Sequence, residues 1–117
     1  MPAPIINLEE LLSRIEDDQD LLRDLISVFK DEFPRRRKAL REAVAALDTT
    51  RAAAEAHAMK GMLSSLAARE AAKVVSLMES QARNGNTAGL RDSFSNFEKI
   101  SDELLQHLDS CQAEVSG

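Results

Sequence analysis

Three features of the chain predict an all-α fold, an up-and-down antiparallel four-helix bundle with a short extra N-terminal helix. Ala, Leu, Glu, Arg and Lys abound, while aromatics are 3% of the residues and Trp and Tyr are absent; β domains draw instead on Val, Ile, Thr and aromatics. Apolar residues recur at i, i+3, i+4, i+7 spacing in several long runs. The connections between those runs are short, which favours antiparallel neighbours. With 117 residues, 44% of them apolar, the chain can build one core. We assign 1–117 to a single domain, with its core over about 8–110 and a frayed tail at 112–117.

The elements follow in order. Asn7 can cap a short helix from about Leu8 to Asp17, with acidic residues in its first turn. Leu22, Leu25, Ile26, Phe29 and Phe33 then form a stripe that resumes in register at Leu40, Val44 and Leu47. Pro34 removes a backbone donor between the two halves. The shared register predicts one long, kinked helix over Gln19–Leu47. Asp48-Thr49-Thr50 supplies capping groups for a helix from Arg51 to about Ser65. Another runs from Arg69 to Arg83 and ends at Asn84-Gly85-Asn86, a C-cap and turn. The last spans about Thr87–Cys111 and buries Leu90, Phe94, Phe97, Ile100, Leu104 and Leu108.

Charge and cysteine usage narrow the function classes. A net charge of −5 argues against a general nucleic-acid binder. The basic run Arg35-Arg36-Arg37-Lys38 lies among acidic residues in a helical pattern and reads as a solvated face, its alternative use being to steer an acidic partner. The longest apolar stretches are far too short to span a membrane. Cys111 is the single cysteine and cannot form an internal disulfide. These features place the chain in a reducing cytoplasm, with a monomer as the expected state.

Residues 56–61 read AHAMKG and put a glycine inside a helix, where it costs about 1 kcal/mol relative to alanine. At about 100° per residue, Ala52, Ala56, Met59, Leu63 and Leu66 gather on the side opposite His57, which therefore points away from the core. Its own face carries Ala53, Ala54, Lys60, Gly61, Ser64 and Ala68, small residues with a single cation. Such a face lets another surface approach the imidazole closely, and Gly61 removes even the Cβ one turn onward. An imidazole at neutral pH is a competent nucleophile. If it takes a phosphoryl group it gains negative charge, with which Lys60, at i+3, is placed to pair. The chain has no glycine-rich nucleotide loop and no obvious carboxylate cluster for Mg²⁺. This describes a phosphoryl carrier without kinase machinery of its own, whose partners supply metal and acceptor. A metal-binding bundle is disfavoured, because neither His57 nor His107 has an acidic residue three positions before it. His107 reads as a surface residue near a helix end.

The stretch AHAMKGMLSSLAA followed by VVSLMES resembles the histidine-containing phosphotransfer (HPt) domain of bacterial two-component phosphorelays. The family pattern is H-x-x-K-G, a small-residue stretch, Gly-Ala, and an apolar helix ending near Leu-Glu. The likeness covers about residues 8–110, and LLSRIEDDQDLLRDLISVFKDEFP is similar to the family's first two helices. It implies that His57 is phosphorylated, that Lys60 stabilises the phosphoryl group, and that Ala53, Gly61, Ser64 and Ala68 form a docking face. It also implies that Glu79, in the place of a family Gln or Glu, hydrogen-bonds the imidazole and leaves the other ring nitrogen free to attack. The partners implied are response-regulator receiver domains and a hybrid sensor histidine kinase. No cofactor is expected to be bound, and Mg²⁺ would come from the receiver. The sequence departs from the pattern at Ala67, which stands where the family has Gly, and at Met62 and Leu63, which are usually small. Two other readings stay open: the phosphoacceptor domain of a chemotaxis-type histidine kinase, and a helical interaction module in which no phosphate takes part.

Overall fold

The structure is a computed structural model that describes residue 10, residues 13–16 and residues 18–116, with 111–116 as backbone only. Four helices carry the fold: α1 (Gln19–Ala45), α2 (Thr49–Ser65), α3 (Arg69–Arg83) and α4 (Thr87–Ser116). The expected first helix over Leu8–Asp17 and its Asn7 cap fall largely outside the described residues. Glu10, Ser13 and Arg14 of that stretch are helical.

Each helix packs against its neighbours in sequence, and α1 also meets α4, which closes a four-membered ring. The α1–α4 seam shows how the strands of the bundle run. Lys30 pairs with Asp109, Arg37 Nη1 with Asp102 at 2.7 Å, and Arg41 Nη2 with Glu98 at 2.5 Å. Partner numbers fall as α1 numbers rise, so the two helices are antiparallel. Arg37 Nη1 also donates to Ser101 Oγ at 2.8 Å, and Ser101 is fully buried. Arg36 reaches across to Glu55 on α2 at 3.4 Å. Two of the four basic residues, Arg36 and Arg37, thus tie helices together, while Arg35 and Lys38 are exposed as the solvated-face reading expects.

The turns explain how so little chain reverses direction. At the end of α1, the Leu47 N–H donates to Val44 O and the Asp48 N–H to Ala43 O. At the end of α2, Ala67 donates to Ser64 O and Ala68 to Leu63 O; at the end of α3, Gly85 donates to Ala82 O and Asn86 to Gln81 O. All three are Schellman turns, which need a left-handed residue at the position after the cap. That residue is Leu47 at φ +56°, Ala67 at φ +56° and Gly85 at φ +70°. Only the last uses the amino acid that suits it. The next helix starts at once, with Asp48 Oδ1 accepting from the Arg51 N–H and Asn86 Oδ1 from the Gly89 N–H.

The core is the predicted one except at three positions: Leu47 is 48% exposed in the turn that follows α1, which ends at Ala45 rather than at the expected Leu47, and Leu25 and Ile100 are only half-buried. Ala52, Ala56, Met59, Leu63 and Leu66 are buried, as are Leu22, Ile26, Phe29, Phe33, Leu40 and Val44 from α1. All four phenylalanines join one cluster, with ring centroids 4.6 Å apart for Phe29–Phe33, 6.0 Å for Phe33–Phe97 and 6.4 Å for Phe94–Phe97. α1 continues through Pro34, which sits on the exposed side where water can meet the carbonyl that loses its donor. α4 runs to Ser116, past the end expected at about Cys111; no glycine or proline interrupts the stretch before Gly117.

Candidate functional site

His57 sits in the middle of α2 with its side chain 65% exposed, aimed away from the buried stripe. Its Nδ1 lies 3.2 Å from Glu79 Oε2 and 3.3 Å from Oε1. Glu79 comes from α3, whose packing against α2 is the most extensive in the bundle. A carboxylate can only accept, so Nδ1 carries the proton and donates to it. In the neutral ring, Nε2 then keeps its lone pair.

The Glu79 side chain is 11% exposed and gathers two further groups. Arg83 Nη2 donates to Oε2 at 2.7 Å, and Lys60 Nζ stands 3.7 Å from Oε1. Burial alone would push the Glu79 carboxyl up, but the hydrogen bonds from His57 and Arg83 and their charges outweigh it and hold the group below the usual carboxylate range. One half-sunk anion therefore organises three basic side chains. Arg83 was not among the expected site residues. Its signal was the Glu79–Arg83 spacing of i, i+4, which places the pair on one helix face.

The small-residue face is only partly as expected. Gly61 and Ser64 are exposed beside His57. Among the described residues, a Cβ at Gly61 would meet nothing within 4 Å, so none of them requires that glycine, and its missing side chain leaves room for a surface that approaches the ring. Ala68, 0% exposed, does not belong to an accessible docking face, and Ala53, 8% exposed, only floors a depression lined also by Thr50, Ala54 and Arg83. Ala68 is covered because the tight Ala67 turn draws it between α2 and α3. Ala53 packs toward α3, where Ala82 is also buried. On the opposite flank of α2, a depression of about 170 Å³ is lined by Leu25, Val28, Phe29, Met62, Ser65 and Leu66. Val28 there is 61% exposed, and Leu21, two turns earlier on α1, is 42% exposed. Among the described residues, no cluster of His, Cys, Asp or Glu could hold a metal ion, and no helix is long and apolar enough to cross a membrane.

The Hpt domain family matches residues 24–114. The chain belongs to that family. Its Hpt fold also superposes on the crystal structure of histidine-containing phosphotransfer protein B (HptB) from Pseudomonas aeruginosa PAO1, with a TM-score of 0.88 over 97% of this chain and 98% of that one, at 22% identity. No curated protein matches the chain. Within the Hpt pattern, the departure at Ala67 changes the residue in the turn but not the turn, which retains both hydrogen bonds and a positive φ. The departure at Met62 is absorbed on the α1 side, where Met62 is half-buried against the core. Neither displaces Glu79 from His57.

Proposed function

We propose that this Hpt domain carries a phosphoryl group on His57 between receiver-domain aspartates in a cytoplasmic two-component phosphorelay. The observation that carries the reading is the Nδ1–Glu79 hydrogen bond on an otherwise open imidazole. Nε2 attacks the phosphorus of a receiver's aspartyl phosphate, an N–P bond forms, the O–P bond breaks and the aspartate carboxylate leaves. The ring becomes a phosphorylated imidazolium whose Nδ1 proton stays in place, and Glu79 neutralises the charge gained. No proton has to move, so the return step to a second aspartate is the same path reversed. Lys60 pairs with the phosphoryl oxygens. The domain contributes nucleophile and positioning, while Mg²⁺ comes with the receiver. The site supplies no nucleotide-binding loop, so the phosphate originates on a partner such as a hybrid sensor kinase, whether on a separate protein or in the same one.

A carboxylate rather than an amide at position 79 also suits the phosphoacceptor domain of a chemotaxis-type kinase, which a kinase domain would phosphorylate in trans. Incubation with a phosphorylated receiver and Mg²⁺ tests the relay. An acid-labile, alkali-stable phosphate should map to His57, and His57→Gln should carry none while unfolding at the same temperature as the wild type. Phosphate on another residue would overturn the role of His57, and partner binding and signalling that survive His57→Gln would leave the protein an interaction module.

A further inference from the structure

The seam between α2 and α3 changes character on the Lys60 side of His57. Two adjoining depressions of about 300 and 320 Å³ share Lys60 and Ser76 and together reach from Arg69 to Asn84. At 1.5 Å per residue that is a trough roughly 20 Å long. Lys60, Arg69, Lys73 and Arg83 stand along it with side chains 41–78% exposed, whereas the carboxylates that accompany them, Glu79 and Glu10, are only 11% and 24% exposed. Glu70 is half exposed and only loosely paired with Lys73, at 3.9 Å. The cations project and most of the anions are recessed, so the trough shows solvent a positive face in a chain whose net charge is −5.

We propose that this trough is a second contact surface of the domain, which takes an acidic segment of the receiver that exchanges phosphoryl groups with His57. The inference rests on the carrier reading above and adds to it which side of the histidine the partner's carboxylates cover. Charge complementarity selects the occupant. The cations are strung along about four α-helical turns, rather than converging on one point, which fits a run of side chains better than a single small anion. The chain's overall negative charge opposes a nucleic acid. The apolar depression at Leu25, Val28 and Met62 lies on the other flank of α2. A receiver that lays apolar surface there and acidic residues here can sit over His57 in one orientation only.

The test is phosphoryl transfer from the phosphorylated full chain to a panel of purified receiver domains with Mg²⁺, at low and high ionic strength. For receivers that accept from the wild type, Lys73→Glu and Arg69→Glu should each lower kcat/KM about tenfold at low salt, mainly through KM, and the gap should close at high salt. Lys73→Glu is the safer variant, because Arg69 also bonds Glu10. Lys99→Glu, the same charge change on α4, should transfer like the wild type. If Lys73→Glu and Arg69→Glu, still folded by circular dichroism, transfer as Lys99→Glu does, the trough proposal is wrong while the carrier reading stands. If the wild type transfers to no receiver, the carrier reading has failed and the trough proposal falls with it.

Discussion

Replacing Glu79 separates the three jobs assigned to its carboxylate. Glu79→Ala removes the acceptor that holds the Nδ1 proton, at 3.2 Å, and the partner of the Arg83 guanidinium, at 2.7 Å. A hydrogen bond to a charged group contributes about 1.5–3 kcal/mol. If that much of the orienting energy is lost in the transition state, phosphorylation of His57 slows by roughly 10- to 150-fold. Glu79→Gln keeps an oxygen that can accept from Nδ1 and so keeps the tautomer. It loses only the charge that faces the imidazolium, and its loss should be about tenfold or less. Single-turnover phosphorylation by a phosphorylated receiver, followed with a phosphate label, gives both numbers. A Glu79→Ala protein that is still folded by circular dichroism and is phosphorylated as fast as the wild type would refute the orienting role. So would Glu79→Gln proving as slow as Glu79→Ala, since the retained acceptor would then count for nothing.

Lys60→Ala should shorten the lifetime of the phosphohistidine or slow its transfer several-fold, read from label retained over time, because Lys60 is the cation at i+3 from the ring; unchanged lifetime and transfer rate would remove its role. Arg37→Ala should destabilise the fold by about 1–2 kcal/mol in urea titrations, since it removes the donor to the buried Ser101 hydroxyl, which keeps only its own bond to Glu98 O, and the tie to the exposed Asp102, whereas Arg35→Ala, with an exposed pair at 3.5 Å, should stay within about 0.5 kcal/mol. Leu47→Gly should raise stability by about 0.5–1 kcal/mol by relieving a left-handed residue whose side chain is 48% exposed. Ala67→Gly should shift stability by less than about 0.5 kcal/mol, because the same relief is offset by a buried methyl lost. In acid, the folded-state depression of the Glu79 carboxyl makes its stabilisation fully present above the ordinary value of 4.5 and lost as pH falls through the depressed value. The gap in melting temperature between wild type and Glu79→Gln should therefore shrink as pH falls below about 4.5.

The helices, their order and their buried faces were legible because each depends on local periodicity and local capping. The stripe on α2 opposite His57, the Asp48 cap and the Asn84-Gly85-Asn86 turn could be read residue by residue. The exposure of His57 followed from the same arithmetic. The left-handed turn at Ala67 was harder, since nothing local marks an alanine for positive φ. Its conformation is imposed by the two hydrogen bonds that close α2 and the packing of Ala68 beneath them.

What the sequence by itself determined is the set of amphipathic helices and the one imidazole kept clear of the core, because apolar spacing decides which side of a helix leaves water. Tertiary structure alone decided which neighbours that imidazole has. The 3.2 Å approach of Glu79, the convergence of Lys60 and Arg83 on the same carboxylate, and the loss of Ala53 and Ala68 to the interior all depend on how α2 and α3 are rotated against each other. That rotation is set by close packing of side chains distant in sequence, and periodicity within a single helix carries no record of it.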